Sequence, residues 1–529
     1  MGIPPLPARD CEARTPLAAW RALALTSVAV VVLHVVIAFI TPYDFHRDEF
    51  LYLAMGRHLR LFAMDFPPLI AILAEGQRAL FGDAIWSVRL ASALAHGALV
   101  LLTGLLAARF GGDVFAQLLA MLAAATAPLY LRAGSLFQPV VFDQLWWTLA
   151  LYALVLIASE AEETTSLRNW IVLGCATGLG LLTKFTILPL GLGILVGMLL
   201  TRRAWLRTHG PWVAAVIALV LGSPSWVGQI VLGFPALGQI GDLRATQLER
   251  IGYGQFLLEL MLMHGPAAFI MAMTGAFVLL ASQRFARWRV AAWAALVPAL
   301  LIMLMRGKPY YVGPVFPLWY AAGAVVVMHA LMRVPARAAR GALQTGACLL
   351  VAAWGIYAYP LSLPVLPPEP TARFAEKLGI TAAVQTNRGV VLELPQDYAD
   401  MLGWQNKVAR VADVYHSLPE TERADVVIVP DNYGQAGAID FYGWQHGLPG
   451  AVAPMGSYWF WGPGKKPGKV VIKVGGDEED LAPFCGSVEL AARIDERWVV
   501  PEEQNLAIWI CRQPYRTLQE VWPMFRGQN

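Results

Sequence analysis

Residues 21–40 read RALALTSVAVVVLHVVIAFI, and residues 41–50 continue directly as TPYDFHRDEF. A helix crosses the hydrocarbon core of a bilayer with about 20 predominantly apolar residues, and the first stretch satisfies that on its own. Arg21 precedes it and Ile40-Thr41-Pro42-Tyr43 follows with no small-residue cleavage site, so it reads as an uncleaved signal anchor. The second stretch sets acids and bases against the end of that span, where charge is costly to place. A membrane helix ending on a carboxylate-rich loop decides the fold class, and the rest of the chain repeats the first half of that pattern.

Apolar stretches recur near 91–110, 114–132, 142–158, 169–183, 186–200, 211–231, 265–282, 290–305, 313–332 and 341–360, giving about 11 transmembrane helices in all. The composition agrees. Of 529 residues 57% are hydrophobic and 15% charged, against roughly 25% charged in soluble domains, which excludes a soluble enzyme. The 19 Trp, 22 Phe and 16 Tyr exclude a disordered chain. The net charge of +3 conceals a split, because from Leu361 onward 15 Lys/Arg face 21 Asp/Glu. The basic residues form no continuous stripe, so nucleic acid is not an expected partner. No repeat of fixed period is visible.

Basic residues in short loops mark the cytoplasmic side. Arg9, Arg14 and Arg21, then Arg202, Arg203 and Arg207, then Arg284, Arg287 and Arg289, then Arg333, Arg337 and Arg340 fall on one side if the N-terminus is cytoplasmic. With an odd number of spans the C-terminal region lies outside, in the periplasm of a bacterial inner (cytoplasmic) membrane. Residues 1–361 then form the transmembrane domain, with a long first periplasmic loop at 41–90, and residues 362–529 form a periplasmic domain. In that loop Ala63 to Leu80 has the spacing of a helix lying on the membrane. In the C-terminal domain Val426-Val427-Ile428-Val429 and Val470-Val471-Ile472 alternate with helix-like Tyr398 to Leu418, an α/β pattern. Pro360, Pro364, Pro367, Pro368 and Pro370 read as its linker. Cys11 falls on the cytoplasmic side, Cys175 and Cys348 in apolar spans, and Cys485 and Cys511 in the outside domain, where a disulfide can form.

Several residues could carry chemistry. Asp48 and Glu49, adjacent at the membrane surface, suit a general base or a cation site; a solvated loop acid is the competing reading. His46 and Asp48 have a spacing that can ligate a metal, but a single His-x-Asp is a weak signal and a hydrated loop histidine is its ordinary reading. Asp65 stands before Phe66-Pro67-Pro68, as a functional acid or as part of a turn. Asp143 opens the fourth span, either as a functional carboxylate, as a helix cap, or as the ion-pair partner of Arg132. Lys184 lies at the outer end of the fifth span, and Arg306 and Lys308 at that of the ninth, just before Tyr310-Tyr311. Basic residues on the outside run against the orientation rule, and recognition of a phosphate is a reason for them. Trp459 and Trp461, in Tyr458-Trp459-Phe460-Trp461, suit contact with a sugar or lipid, or anchoring at the membrane interface. No phosphate-cradling glycine motif for a nucleotide-sugar is present.

The Asp48-Glu49 pair after the first span, Pro67-Pro68-Leu69 leading an amphipathic stretch, then Phe81-Gly82-Asp83 and Arg89-Leu90 entering the second span, resemble the bacterial relatives of protein O-mannosyltransferases and lipid A aminoarabinose transferases. These are GT-C glycosyltransferases. The resemblance continues at Gly178-Leu179-Gly180-Leu181-Leu182-Thr183-Lys184 and Gly307-Lys308-Pro309-Tyr310-Tyr311, and Asn432-Tyr433-Gly434-Gln435-Ala436-Gly437-Ala438-Ile439-Asp440 is similar to a bacterial branch of the family. It implies a multi-span GT-C helical bundle with a C-terminal periplasmic α/β domain. It also implies transfer of a sugar, with inversion, from a polyprenyl-phosphate donor to a lipid, glycan or protein acceptor. On that resemblance Asp48 is the general base and Glu49 orients it or meets a cation, while Lys184, Lys308, Arg306 and Tyr310 bind the donor phosphate. Asp65, Asp143, Trp459 and Trp461 are candidates for the acceptor or a cation. No cofactor is implied beyond a divalent metal, should Asp48, Glu49 and Asp65 converge. Aminoarabinose-transferring relatives carry Glu-Lys-Pro where this chain has Asp65-Phe66-Pro67, so the basic member is absent and the substrate is expected to differ. A transporter or flippase of lipid-linked sugars, or an inactive scaffold, are the alternatives of other classes.

Overall fold

The computed structural model describes residues 17–160, 166–248 and 252–526. Up to residue 357 the described chain is helical: α1 (Leu17–Ile40), α2 (Arg47–Arg57), α3 (Leu69–Phe81), α4 (Ile85–Arg109), α5 (Val114–Thr126), α6 (Pro128–Gly134), α7 (Pro139–Ser159), α8 (Leu167–Thr183), α9 (Ile187–Thr201), α10 (Gly210–Leu221), α11 (Ser223–Leu232), α12 (Pro235–Leu243), α13 (Tyr253–His264), α14 (Pro266–Ala281), α15 (Arg289–Leu304), α16 (Phe316–Met332) and α17 (Arg337–Tyr357). Every apolar stretch expected from the sequence falls on one of these helices or on a bent pair. Among the described residues five helices are long and apolar enough to cross a membrane, and eight if each bent pair is one span. The eleven expected spans therefore do not all qualify. α8 and α9 are apolar but shorter, and α17 is diluted by Arg337, Arg340 and Gln344. Pro128, which lacks the N–H needed to continue α5, opens α6 at a 65° bend.

Outward-facing side chains explain where this bundle resides. Leu25 is 68% exposed, Leu219 57% and Phe277 69%, and apolar surface of that kind on helices whose backbone is satisfied internally is suited to lipid. The interior packs closely around the buried Tyr130, Trp147, Phe316 and Tyr320.

Two helices occupy the first loop. α3 begins only at Leu69, because Pro67 and Pro68 steer the residues before them, Phe66 and Pro67, away from helical conformation. Its Ile70, Ala71 and Ala74 are buried while Leu80 and Phe81 are exposed, the two-faced character expected of a helix at a membrane surface. α2 was not apparent from apolar spacing, because eight of its residues are buried and no polar face marks it.

Beyond the bundle come α18 (Tyr359–Ser362), α19 (Pro368–Leu378), α20 (Gln396–Ala399), α21 (Trp404–Ser417), α22 (Glu420–Arg423), β1 (Val426–Pro430), α23 (Tyr433–Tyr442), α24 (Gly456–Trp461), β2 (Val470–Val474), β3 (Cys485–Ile494) and β4 (Leu506–Pro514). The proline-rich segment is thus partly helical rather than a plain linker, with Pro360 and Pro368 in first turns, where a missing N–H costs nothing. The expected helix at 398–418 is broken before Trp404 by Gly403 at φ 77°. The sheet order is β1-β2-β4-β3, with β1 parallel to β2 and the other pairs antiparallel; Ile428 faces Ile472, which faces Ile510. β1 is buried along its whole length, as its unbroken apolar run requires. Cys485 and Cys511 are joined in a disulfide. Cys11 lies outside the described residues.

Candidate functional site

The site is built on the N-terminus of α2. His46 is the N-cap: its ring Nδ1 accepts from the Asp48 N–H at 3.1 Å, while the Glu49 carboxylate accepts from the His46 N–H at 2.7 Å. This reciprocal capping satisfies donors that a helix start leaves open. It also assigns His46 to the helix start, 3% exposed, rather than to a hydrated loop.

Capping points two adjacent carboxylates in opposite directions. Glu49 is turned inward and is fully buried. It accepts from Arg89 Nε at 2.9 Å and Nη2 at 2.7 Å and from the Phe137 N–H at 2.7 Å, so its lone pairs are committed to the scaffold. Asp48 is turned outward, its side chain 27% exposed. It accepts from the Tyr433 hydroxyl at 2.8 Å and from Gln138 Nε2 at 3.3 Å, and it lines a cavity of about 560 Å³.

That cavity passes from the bundle to the C-terminal region. Leu129, Leu262, Met263 and Trp354 form its apolar side; Asp48, Arg132, Gln138, Lys308, Tyr310, Asn387 and Asp397 are among its polar residues. Lys308 donates to Asn387 Oδ1 at 3.0 Å, and burial lowers its ammonium pKa below the usual value. An anion arriving there would restore the charged form and gain a strong hydrogen bond. Lys184 caps the C-terminus of α8, with its Nζ 4.5 Å from the centre of the Tyr311 ring and 5.1 Å from that of Tyr310, so the two lysines and the two tyrosines form one group.

The other expected residues lie elsewhere. Arg306 does not line the cavity; it adopts φ 54° and its guanidinium carbon is 5.7 Å from the Tyr253 ring centre. Asp143 accepts from Trp147 Nε1 at 3.1 Å and Thr186 Oγ1 at 2.9 Å, five residues into α7, so it is no helix cap. Nor does it pair with Arg132, which instead donates to Asp397 at 2.8 Å and packs over Tyr398. Asp65 accepts from Ser457 at 2.7 Å, and burial raises its pKa. Trp459 donates to the Trp522 carbonyl at 3.2 Å, and Trp461 stacks on His58 at 4.1 Å; neither lines the cavity. Asp48, Glu49 and Asp65 do not converge, and no three His, Cys, Asp or Glu side chains among the described residues gather as metal ligands. Gln138, Asn387 and Tyr433 are further site residues that no motif marks individually. Only Tyr433 carried a signal, through the 432–440 stretch.

Comparison with known proteins agrees with this architecture. The model of the dolichyl-phosphate-mannose-protein mannosyltransferase family matches residues 65–227. The undecaprenyl phosphate-alpha-4-amino-4-deoxy-L-arabinose arabinosyl transferase 1 of Pseudomonas fluorescens (strain Pf0-1) is 34% identical over 166 residues, covering 30% of this chain and 27% of that protein. The corresponding transferase of Pseudomonas aeruginosa (strain UCBPP-PA14) is 34% identical over 163 residues, covering 29% and 28%. The matches thus span little more than a quarter of these relatives. Among solved structures, ArnT from Cupriavidus metallidurans superposes with TM-score 0.57 in the apo state, at 17% identity over 93% of this chain and 98% of that one. Its undecaprenyl-phosphate-bound form gives 0.56 at 16% identity and the same coverage. The protein therefore has the GT-C glycosyltransferase fold. Within that class it resembles the protein O-mannosyltransferase and lipid A aminoarabinose transferase family.

Proposed function

We propose that this protein is a membrane glycosyltransferase that moves a sugar from a polyprenyl-phosphate donor to a lipid, glycan or protein acceptor at the periplasmic face, with the N-terminus cytoplasmic. Residues 1–361 supply the bundle and residues 362–529 the outer domain. The observation that carries the reading is the placement of Asp48, partly exposed, on one cavity with Lys308 and Tyr310. The relatives' names support a lipid-phosphate donor.

The chemistry follows from those positions. An acceptor hydroxyl is a poor nucleophile, and Asp48 takes its proton as the oxygen attacks the anomeric carbon. The new glycosidic bond forms on the face opposite the breaking bond to phosphate, so configuration inverts. The leaving phosphate takes the electron pair of the broken bond, and Lys308, with Lys184 and Tyr310 behind it, stabilises that charge. Glu49 holds the helix that carries Asp48. The apolar flank from Leu129 to Trp354 suits the isoprenoid end of the donor.

Mass spectrometry of envelope lipids, glycans and glycoproteins from a deletion strain, with and without the wild-type protein, tests this. A species that appears only with the protein, heavier than its precursor by one sugar, is expected. An unchanged envelope with the protein stably expressed would refute transfer and leave transport or scaffolding.

A further inference from the structure

The stretch 432–440 brings the C-terminal region into contact with α2. Asn432 caps α23 by accepting from the Gln435 N–H at 3.0 Å. Its own Nδ2 donates to Glu503 at 2.7 Å, as does Gln435 Nε2 at 3.1 Å, and Glu503 is paired with Lys407 at 2.9 Å. Glu503 is 1% exposed, so this anchor is fixed in the interior of the domain. α23 then lies directly on α2. A Cβ at Gly437 would sit 2.6 Å from Phe50 Cβ, and one at Gly434 would sit 2.9 Å from Arg47 Cβ. The glycines are what allow that approach.

The approach delivers one hydroxyl to one carboxylate. Tyr433 donates to Asp48 Oδ1 at 2.8 Å and accepts from Arg47 Nε at 3.3 Å, while Arg47 Nη1 is held by Asp400 at 3.3 Å and Glu502 at 3.1 Å. Burial, and then the adjacent Asp48, hold the phenol proton more tightly than usual, so Tyr433 stays a neutral donor at physiological pH. With Oδ1 taken by Tyr433 and Gln138 on Oδ2, rotation of the carboxylate is fixed.

We propose that Tyr433 is a positioning residue for sugar transfer, and that the C-terminal domain completes the active site by orienting Asp48 through this hydroxyl. The inference rests on the transferase reading above. It makes the outer domain a working part of the site rather than an appendage, with Lys407, Glu503 and Asn432 as the chain of support behind Tyr433.

Tyr433→Phe removes the hydroxyl and keeps the ring. The full-length protein, wild type and variant, is compared for the rate at which the envelope product appears, for binding of undecaprenyl phosphate as probe, and for thermal unfolding. The expected result is a ~10- to 100-fold slower product with probe affinity within about twofold and an unchanged melting point, because a misoriented base costs rate and not binding. Wild-type product rates in Tyr433→Phe would overturn the positioning role and leave the transferase standing. Loss of probe binding or a lowered melting point in proportion to lost activity would make Tyr433 structural and overturn it as well. Absence of product with the wild type refutes the transferase reading, and this inference with it. If Tyr433→Phe does not fold, 4-fluorophenylalanine at position 433 fills the place of the hydroxyl without its proton; wild-type turnover in a folded protein then overturns the proposal.

Discussion

The floor beneath α2 and the cavity wall above it begin at neighbouring residues and follow opposite rules. On the floor, Glu49 is sealed from water and matched by one guanidinium and two backbone N–H groups. On the wall, Asp48 keeps part of its surface open and is held by two neutral donors. Neutral donors fix a carboxylate while leaving it open to an incoming group. A buried ion pair gives no such freedom; its value is to hold α2 against α4 and the start of α7. Two acids that look alike in sequence thus divide into a buried brace and a cavity-facing carboxylate, the proposed base, according to which side of the helix start they face.

The largest effect is expected from breaking the floor. Glu49→Ala leaves Arg89 buried and unpaired, which should destabilise the protein by about 3–5 kcal/mol and remove activity with it. Thermal unfolding in detergent checks this. Replacing both Glu49 and Arg89 with Leu should recover only part of the loss, because the Phe137 and His46 N–H groups still lack their acceptor. If Glu49→Ala melts as wild type does but is inactive, Glu49 belongs to the wall instead.

On the wall, Asp48→Asn should lower the transfer rate by ~10²- to 10⁴-fold with little change in melting point, since the amide keeps an acceptor for Tyr433. Lys308→Ala should weaken binding of undecaprenyl phosphate by about tenfold, roughly the worth of one charge-assisted hydrogen bond. Titration calorimetry with the solubilised lipid reads it directly. Equal affinity in the variant would move the phosphate site away from this cavity.

The smallest effect lies away from both regions. Burial raises the pKa of Asp65, so the folded state holds its proton at pH values where the unfolded chain has released it. That contribution to stability is present below the ordinary aspartate value of 3.8 and is lost as pH rises towards the folded value. Asp65→Asn should flatten the fall in stability over that window, by about 1 kcal/mol or less, and should leave transfer intact. Impaired transfer would return Asp65 to the site.

The bundle was legible in the sequence because lipid demands long apolar runs, and 20 consecutive residues carry that signal unaided. Lys184 and Lys308 stand out for the opposite reason, as charges that the proposed orientation puts on the side where such residues are disfavoured. Side-chain direction was not legible. Glu49 and Asp48 separate only through the capping geometry of His46, and Arg306 turns away at a backbone conformation that no pattern announces. Asp65 is drawn to Ser457, and Trp461 to His58, by packing between segments about 400 residues apart. Of the two partners of Asp48, Gln138 lies 90 residues away in the chain and Tyr433 lies 385, both beyond the reach of any local spacing.

In the proposed mechanism Asp48 performs the chemistry in a cavity that also holds the donor phosphate. Purified wild type and Asp48→Asn in lipid nanodiscs, compared for undecaprenyl-phosphate binding and for transfer of the sugar identified from the envelope, test it most directly. Equal binding, with transfer lost by at least about a hundredfold in the variant, is expected. Transfer at the wild-type rate would contradict it.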